Sequence, residues 1–515
     1  MKNIIYLIIL AIFSLFVNQH FANRGVFPID SFFHFDSAFN IVSGNHPFKD
    51  YWEITGPFVD YIQSLFFLML GVNWASYAFH ASVINMLLAL SSFYFFLNIG
   101  LKNYYAFIYA LGVSILGYPS IGTPFVDHHS VIFCIMACYS ISLAILRKKN
   151  LFWILVPILI TFSFFSKQIP SPYFILLFVI IIFIHFYLFT NENKKILINL
   201  FFGCLISFFS VSSIFLINDI PIENFLIQYI YYPLTLGETR IDKLNIDFDN
   251  LVGQFKYIYL ALIPLVVSTF NLIKKKEKNL TQQKDIVLSL LFLASVAILV
   301  YCQLLTKNQV LIFFLIPISA AYSHAYSIKY FDNKYLIYFV LVVFVFSTVK
   351  YNIRFNQDRK FIELANVDFN LAEDAAKLDK RLKGLKWITP YYPNNPLDEI
   401  NLLIDTKNIL SKEVDKKIII TDYQFFASML KHKFASPNRF YDDLSIPDKK
   451  NEYYDAHKKF FLSKIKKNNI KYLFFVGKNK SKISFFKEFF NENECIISNQ
   501  VNELLLEFDI SKCKF

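Results

Sequence analysis

The stretch SPYFILLFVIIIFIHFYLFTNENKKILINLFFGCLISFFSVSSIFLIN, residues 171–218, decides what kind of molecule this is. Two apolar runs, 172–190 and 196–218, flank a polar break that carries Lys194 and Lys195. As a helix, a run of about 20 apolar residues crosses the roughly 30 Å hydrocarbon core of a bilayer. Inside that core every backbone N–H and C=O must be paired within the protein, which selects helices for runs of this length. The stretch reads as a helical hairpin in a membrane, with its two lysines at the turn.

Runs of the same kind occupy 4–21, 76–98, 104–118, 129–146, 151–166, 256–273, 286–305, 309–327 and 335–350. With the first two they predict a mainly α, polytopic membrane protein of about eleven spans. No A-x-A-like cleavage site follows the first run, so it reads as a retained helix. The shorter run 57–70 reads as an interfacial or re-entrant helix. Composition agrees: of 515 residues, 55% are hydrophobic and 17% charged, and the mean hydropathy is +0.42. A soluble chain carries about 25% charged residues. The 61 Phe, 31 Tyr and 13 Gly exclude a disordered or collagen-like chain.

A net charge of +12 raises the question of nucleic acid, and its distribution answers no. The excess sits in short clusters between apolar runs, such as Arg147-Lys148-Lys149 and Lys274-Lys275-Lys276. Threaded with the N-terminus inside, the inner loops hold 14 Lys or Arg against 4 acids. The outer loops hold about seven basic residues, counting Lys256 at the start of a run, and 12 acidic ones. That asymmetry is the positive-inside pattern, and an odd number of spans places the tail outside. The bias toward Ile, Phe, Lys and Asn fits an AT-rich bacterial genome, hence a bacterial inner membrane with a periplasmic tail.

The chain divides into a membrane part, 1–350, and a soluble tail, 351–515, long enough for one small domain. Segments 417–421 (KIIIT), 471–476 (KYLFFV) and 503–510 read as strands. Segment 453–467 has the helical spacing Tyr454, His457, Phe460, Phe461 and Ile465, so the tail is expected to be α/β. Four cysteines fall inside apolar runs, where a small hydrophobe is the ordinary reading. Only Cys495 and Cys513 lie in the tail, and their pairing stays open.

Chemistry is expected in the outer loops. The first of them, 21–56, carries Asp30 and His34, which share a face if the segment is one helix, and Asp36 on a different side. Asp30 follows Pro28 and also suits a helix cap. A second outer loop holds Asp127, His128, His129 and Ser130, where imidazole and carboxylate suit a divalent metal or a phosphate oxygen, and Asp127 or Ser130 suits a cap. Lys167 and Gln168 end a span on the same side. A lysine at the bilayer centre costs roughly 2.5–3.5 kcal/mol, so Lys167 snorkels to the interface or faces a wet cavity. Arg240, in LGETRIDK, is either a solvated loop charge or a further cation of the same site. Carboxylates that accept a proton, gathered with cations that neutralise a departing phosphate, make a transfer site.

The first outer loop resembles that of the GT-C membrane glycosyltransferases, in the branch holding the protein O-mannosyltransferases and the aminoarabinose transferase of lipid A. Their pattern of Asp, Ala, Gly, Pro-aromatic-x-Asp, Pro and Gly reads here as Asp30, Ala38, Gly44, Pro47-Phe48-Lys49-Asp50, Pro57 and Gly71. The chain departs at Ser31, at His34 and at Gly56-Pro57, where that family often has Glu, Tyr and paired prolines; sugar and subfamily stay open. The resemblance implies sugar transfer from a polyprenyl-phosphate donor to an envelope acceptor, whether lipid, glycan or protein. It implies Asp30 as the base or orienter of the acceptor hydroxyl and Asp127 as the second acid. Lys167 is then the phosphate-binding cation, with His34, Asp36, His128, Gln168 and Arg240 as further substrate-binding candidates. A divalent metal at Asp127, His128 and His129 stays open. The competing readings are a lipid-linked sugar flippase, an assembly scaffold, or an oligosaccharide polymerase or ligase. A flippase needs a polar path through its spans, and these spans contain almost no charge.

Overall fold

Among the described residues each apolar run forms an α-helix over most of its length. A computed structural model describes residues 2–189, 193–242, 244–307, 312–331, 333–412, 416–432, 434–442, 444–478, 489–490 and 495–513. The start of the 309–327 run, 309–311, lies outside the described residues. Helix α1 is Lys2–Ala22, and the loop after it contains the short helices α2 (Pro28–Ser31) and α3 (Phe35–Val42) and then α4 (Pro57–Leu70). The bundle continues through α5 (Trp74–Asn98), α6 (Asn103–Leu116), α7 (Val126–Arg147), α8 (Asn150–Ser166), α9 (Ser171–Phe189) and α10 (Asn193–Ile217). Next come α11 (Ile222–Phe225), a π-turn and α12 (Tyr232–Asp242). Helices α13 (Lys256–Lys274), α14 (Leu280–Thr306), α15 (Leu315–Tyr330) and α16 (Lys334–Tyr351) complete it.

Among the described residues eight helices are long and apolar enough to cross a membrane: α1, α5, α7, α9, α10, α13, α14 and α16. Helices α6, α8 and α15 are shorter, at 14, 17 and 16 residues. Nearly all of α7 is buried, and it is the axis on which α5, α8 and α14 pack. Small polar side chains join these helices internally: Ser163 Oγ lies 3.0 Å from Ser130 Oγ and 2.7 Å from Ser171 Oγ, and Cys138 Sγ lies 3.1 Å from Ser295 Oγ. The outer surface is apolar, with Leu176, Phe183, Phe201 and Phe208 more than 59% exposed on α9 and α10. Helix α4 is two-faced, with Val59, Asp60, Gln63 and Phe67 buried and Leu65, Leu68 and Met69 exposed.

The tail contains the expected small sheet. Strands β1 (Glu373–Asp374) and β2 (Lys386–Trp387) pair antiparallel near its root. Helices α17 (Pro396–Lys412), α18 (Phe426–Leu430) and α19 (Tyr454–Lys467) surround a four-stranded sheet of β3 (Lys417–Thr421), β4 (Tyr472–Val476), β5 (Ile497–Gln500) and β6 (Leu505–Asp509). Its order is β3-β4-β6-β5, with β3 and β4 parallel and the other pairs antiparallel. Strand β5 and helix α17 were not expected, because β5 is exposed along its length and α17 has a weak apolar stripe. On α19 the buried His457, Phe461 and Ile465 repeat every four residues, which is the spacing read from the sequence. Cys495 and Cys513 are disulfide-bonded, with Cα atoms 5.0 Å apart.

The tail, the first outer loop and the start of α5 share one hydrophobic core, in which Phe32, Phe35, Trp74 and Tyr77 pack with Trp387, Phe425 and Phe426. Backbone bonds cross the same boundary: Val26 N donates to Ile388 O at 2.9 Å, Trp52 N to Pro437 O at 2.7 Å, and Asp36 N to Gln424 O at 2.9 Å. Buried Arg359 closes the root of the tail, donating to the carbonyls of Arg24, Pro119, Ser120 and Ile121.

Candidate active site

A cavity of about 1400 Å³ opens where the first outer loop, the starts and ends of several helices, and the tail meet. Asp30, Asp127, Lys167, Gln168 and Arg240 all line it, although they come from four separate segments. The tail contributes Arg354, Lys360, Phe440, Asp442, Leu444 and Ser445 to its lining, and the bundle contributes Lys256 and Lys350.

Asp30 is the third residue of α2, and Phe27 occupies the cap position, so Asp30 does not cap the helix. Among the described residues nothing hydrogen-bonds its carboxyl. Burial, together with the charges of Glu363, Asp127 and Asp442, pushes its pKa from 3.8 up to about 7. A carboxylate with that value accepts a proton near neutral pH, which is what a general base requires.

Asp127 lies in the first turn of α7, where a negative charge suits the helix dipole. It is ion-paired with Lys167, which follows the last residue of α8; their side chains are 6% and 16% exposed. Lys167 is therefore held by an acid and not simply extended to the interface. The neighbouring Gln168 Nε2 donates to Ile54 O at 2.7 Å and Tyr229 O at 2.8 Å, tying the first outer loop to the segment before α12.

His128 and His129 do not join Asp127. His128 Nε2 lies 3.2 Å from Ser120 Oγ, while His129 bonds Tyr118 and places Nε2 3.0 Å from His80 Nε2. Consecutive residues on an α-helix project about 100° apart, so three in a row cannot converge on one ion. The set does not fit a metal, and among the described residues no group of three His, Cys, Asp or Glu side chains does.

His34 and Asp36 are also corrected. The segment is not one helix: it breaks between Ser31 and Phe35, so His34 leaves the face of Asp30. His34 is fully buried beside Asp60, with Nδ1 2.6 Å from Asp60 Oδ1, and burial holds its imidazole neutral, well below the usual range. Asp36 turns away from the cavity and accepts hydrogen bonds from Ala427 N and Ser428 N, both at 3.0 Å, capping the first turn of α18 from another segment.

Sequence reasoning missed Glu53, Asp60, Glu363, Arg439 and Asp442. Asp60 did leave a signal: an acid inside the apolar run 57–70 needs a buried partner. That partner is Arg439, whose Nη1 lies 2.8 Å from Glu53 Oε2 and 3.2 Å from Asp60 Oδ2. Nothing near residue 439 announces it, because its partner Glu53 is 386 positions away.

Compared with known proteins, the chain matches no family model and no curated sequence.

Proposed function

We propose that this chain is a GT-C-type membrane glycosyltransferase that moves a sugar from a polyprenyl-phosphate donor to a hydroxyl of an envelope acceptor. The observation that carries the reading is the meeting of Asp30, with its raised pKa, and the Asp127–Lys167 pair in one large cavity beside an apolar bundle. In the proposed step Asp30 takes the acceptor's O–H proton while that oxygen forms the new bond to the anomeric carbon. The bond from that carbon to the phosphate oxygen breaks, and the electron pair leaves with the phosphate. Lys167, oriented by Asp127, neutralises the charge that builds on the leaving group. Arg240 supplies a second cation on the cavity wall. An oxocarbenium-like centre between a carboxylate and a leaving phosphate is the expected transition state.

The same reading takes all eleven apolar helices as spans of a bacterial inner membrane, with the N-terminus inside and the tail in the periplasm. The Cys495–Cys513 bond supports that side, since disulfides persist in oxidising compartments. Cells lacking the protein should accumulate an unmodified envelope glycan, lipid or protein. Expression of the wild-type chain should reverse this, and Asp30→Asn at equal abundance should not. An envelope unchanged by deletion, or full rescue by Asp30→Asn, would sink the proposal.

A further inference from the structure

Arg439 enters the membrane part from the tail and is 2% exposed. Besides Glu53 and Asp60, its Nη1 donates to Thr55 O at 2.8 Å, and its Nη2 donates to Phe33 O at 2.7 Å beside His34 Nδ1. The guanidinium also lies 4.6 Å from the Phe33 ring and 5.0 Å from the Phe440 ring. Phe33, Thr55 and Phe440 all line the cavity. Phe33 belongs to the turn that ends the Asp30 helix, and its N–H donates to Asp30 O at 3.4 Å. One planar fork from the tail thus holds both sides of the first outer loop at the place where that loop presents Asp30.

The packing leaves little slack. Gly56, at φ +84°, sits against the cluster, and a Cβ there would come within 2.8 Å of His34 Cε1 and 3.3 Å of Arg439 Nη1. The backbone carrying Arg439 is fixed as well, since Arg439 N donates to Trp52 O at 3.2 Å. Stability alone does not account for such a cluster. Removing three charges from water is expensive, and replacing a buried ion network with apolar residues is often neutral or stabilising. What the network supplies is a single geometry, and a rigid five-donor fork supplies it where an ammonium does not.

We infer that Arg439 is a positioning residue for sugar transfer: the tail sets the placement of Asp30 through Phe33 and completes the active site. The inference rests on the transferase reading above. It is tested on the full-length protein in membranes with two variants, Arg439→Lys and the charge-neutral pair Glu53→Gln with Arg439→Gln. Transfer rate, affinity for undecaprenyl phosphate, and hydrogen exchange of amides 31–37 are measured for each. A displacement on the scale of 1 Å costs about 10²-fold in rate. Both variants should therefore lose about 100-fold in transfer at saturating donor, bind undecaprenyl phosphate within twofold of wild type, and exchange amides 31–37 faster. Transfer within threefold of wild type, or rate and affinity lost together, would overturn the inference. Asp30→Asn is the control. Normal transfer in Asp30→Asn removes the transferase reading, whereas loss there with retention in Arg439→Lys removes only the role of Arg439.

Discussion

Asp30 carries the sharpest expectation. Asparagine matches its size but cannot take a proton, so Asp30→Asn should fold, bind donor and lose about 10²–10⁴-fold in turnover. With its pKa near 7, wild-type turnover should rise about tenfold per pH unit below that value and level off above it. The native state holds this proton more tightly than the unfolded chain, so the group costs stability as pH rises from 3.8 through about 7. Asp30→Asn should accordingly be at least as heat-stable as wild type at pH 8; a turnover profile flat from pH 5 to 8 would contradict the role. Lys167→Ala should weaken undecaprenyl phosphate binding by roughly 1.5–3 kcal/mol, the value of a charge-assisted contact. An unchanged affinity in a titration would leave Lys167 as no more than the partner of Asp127. That Asp30, Asp127, Lys167, Gln168 and Arg240 line one cavity was legible because all five fall between apolar runs, in loops that the threading assigns to one face. His34 and His129 were misleading for the same reason, because outer-loop position does not reveal which way a side chain faces.

At the scale of elements, the apolar runs predicted helices well, since hydrocarbon leaves the backbone few other choices. The break between α2 and α3 was not legible. Residues 28–42 contain no glycine and no proline after Pro28, and the turn at residues 32–34 is imposed by tertiary contacts. Among these, His34 N donates to the Tyr77 hydroxyl at 3.0 Å, and Arg439 Nη2 donates to Phe33 O. Helix α18 depends on a cap from outside its own segment. Removing Asp36 leaves the half-buried N–H of Ala427 and the buried N–H of Ser428 without their acceptor, so Asp36→Ala should cost about 1–3 kcal/mol. Asp36→Asn retains an acceptor oxygen and should cost less. Thermal unfolding of the two variants measures the difference, and equal midpoints would mean that α18 is held by its apolar contacts alone.

On the scale of the molecule, the orientation proposed from charge asymmetry between loops is open to direct test. Alkaline phosphatase fused after Val476 should be active, and a fusion near Lys275 should be silent; the reverse pattern would place Asp30 and Lys167 on the cytoplasmic side. What the sequence concealed at this scale is that membrane part and tail are not separable, because their shared core joins residues more than 300 positions apart. The order of synthesis gives this a consequence. Asp30, Glu53 and Asp60 leave the ribosome long before Arg439. Until then Glu53 and Asp60 lack the cation they share in the folded chain. A chain cut between Tyr351 and Arg439 carries every helix of the bundle and lacks the guanidinium inferred to place Asp30. On the proposed reading such copies consume no lipid-linked sugar, and synthesis must pass residue 439 before the site can act.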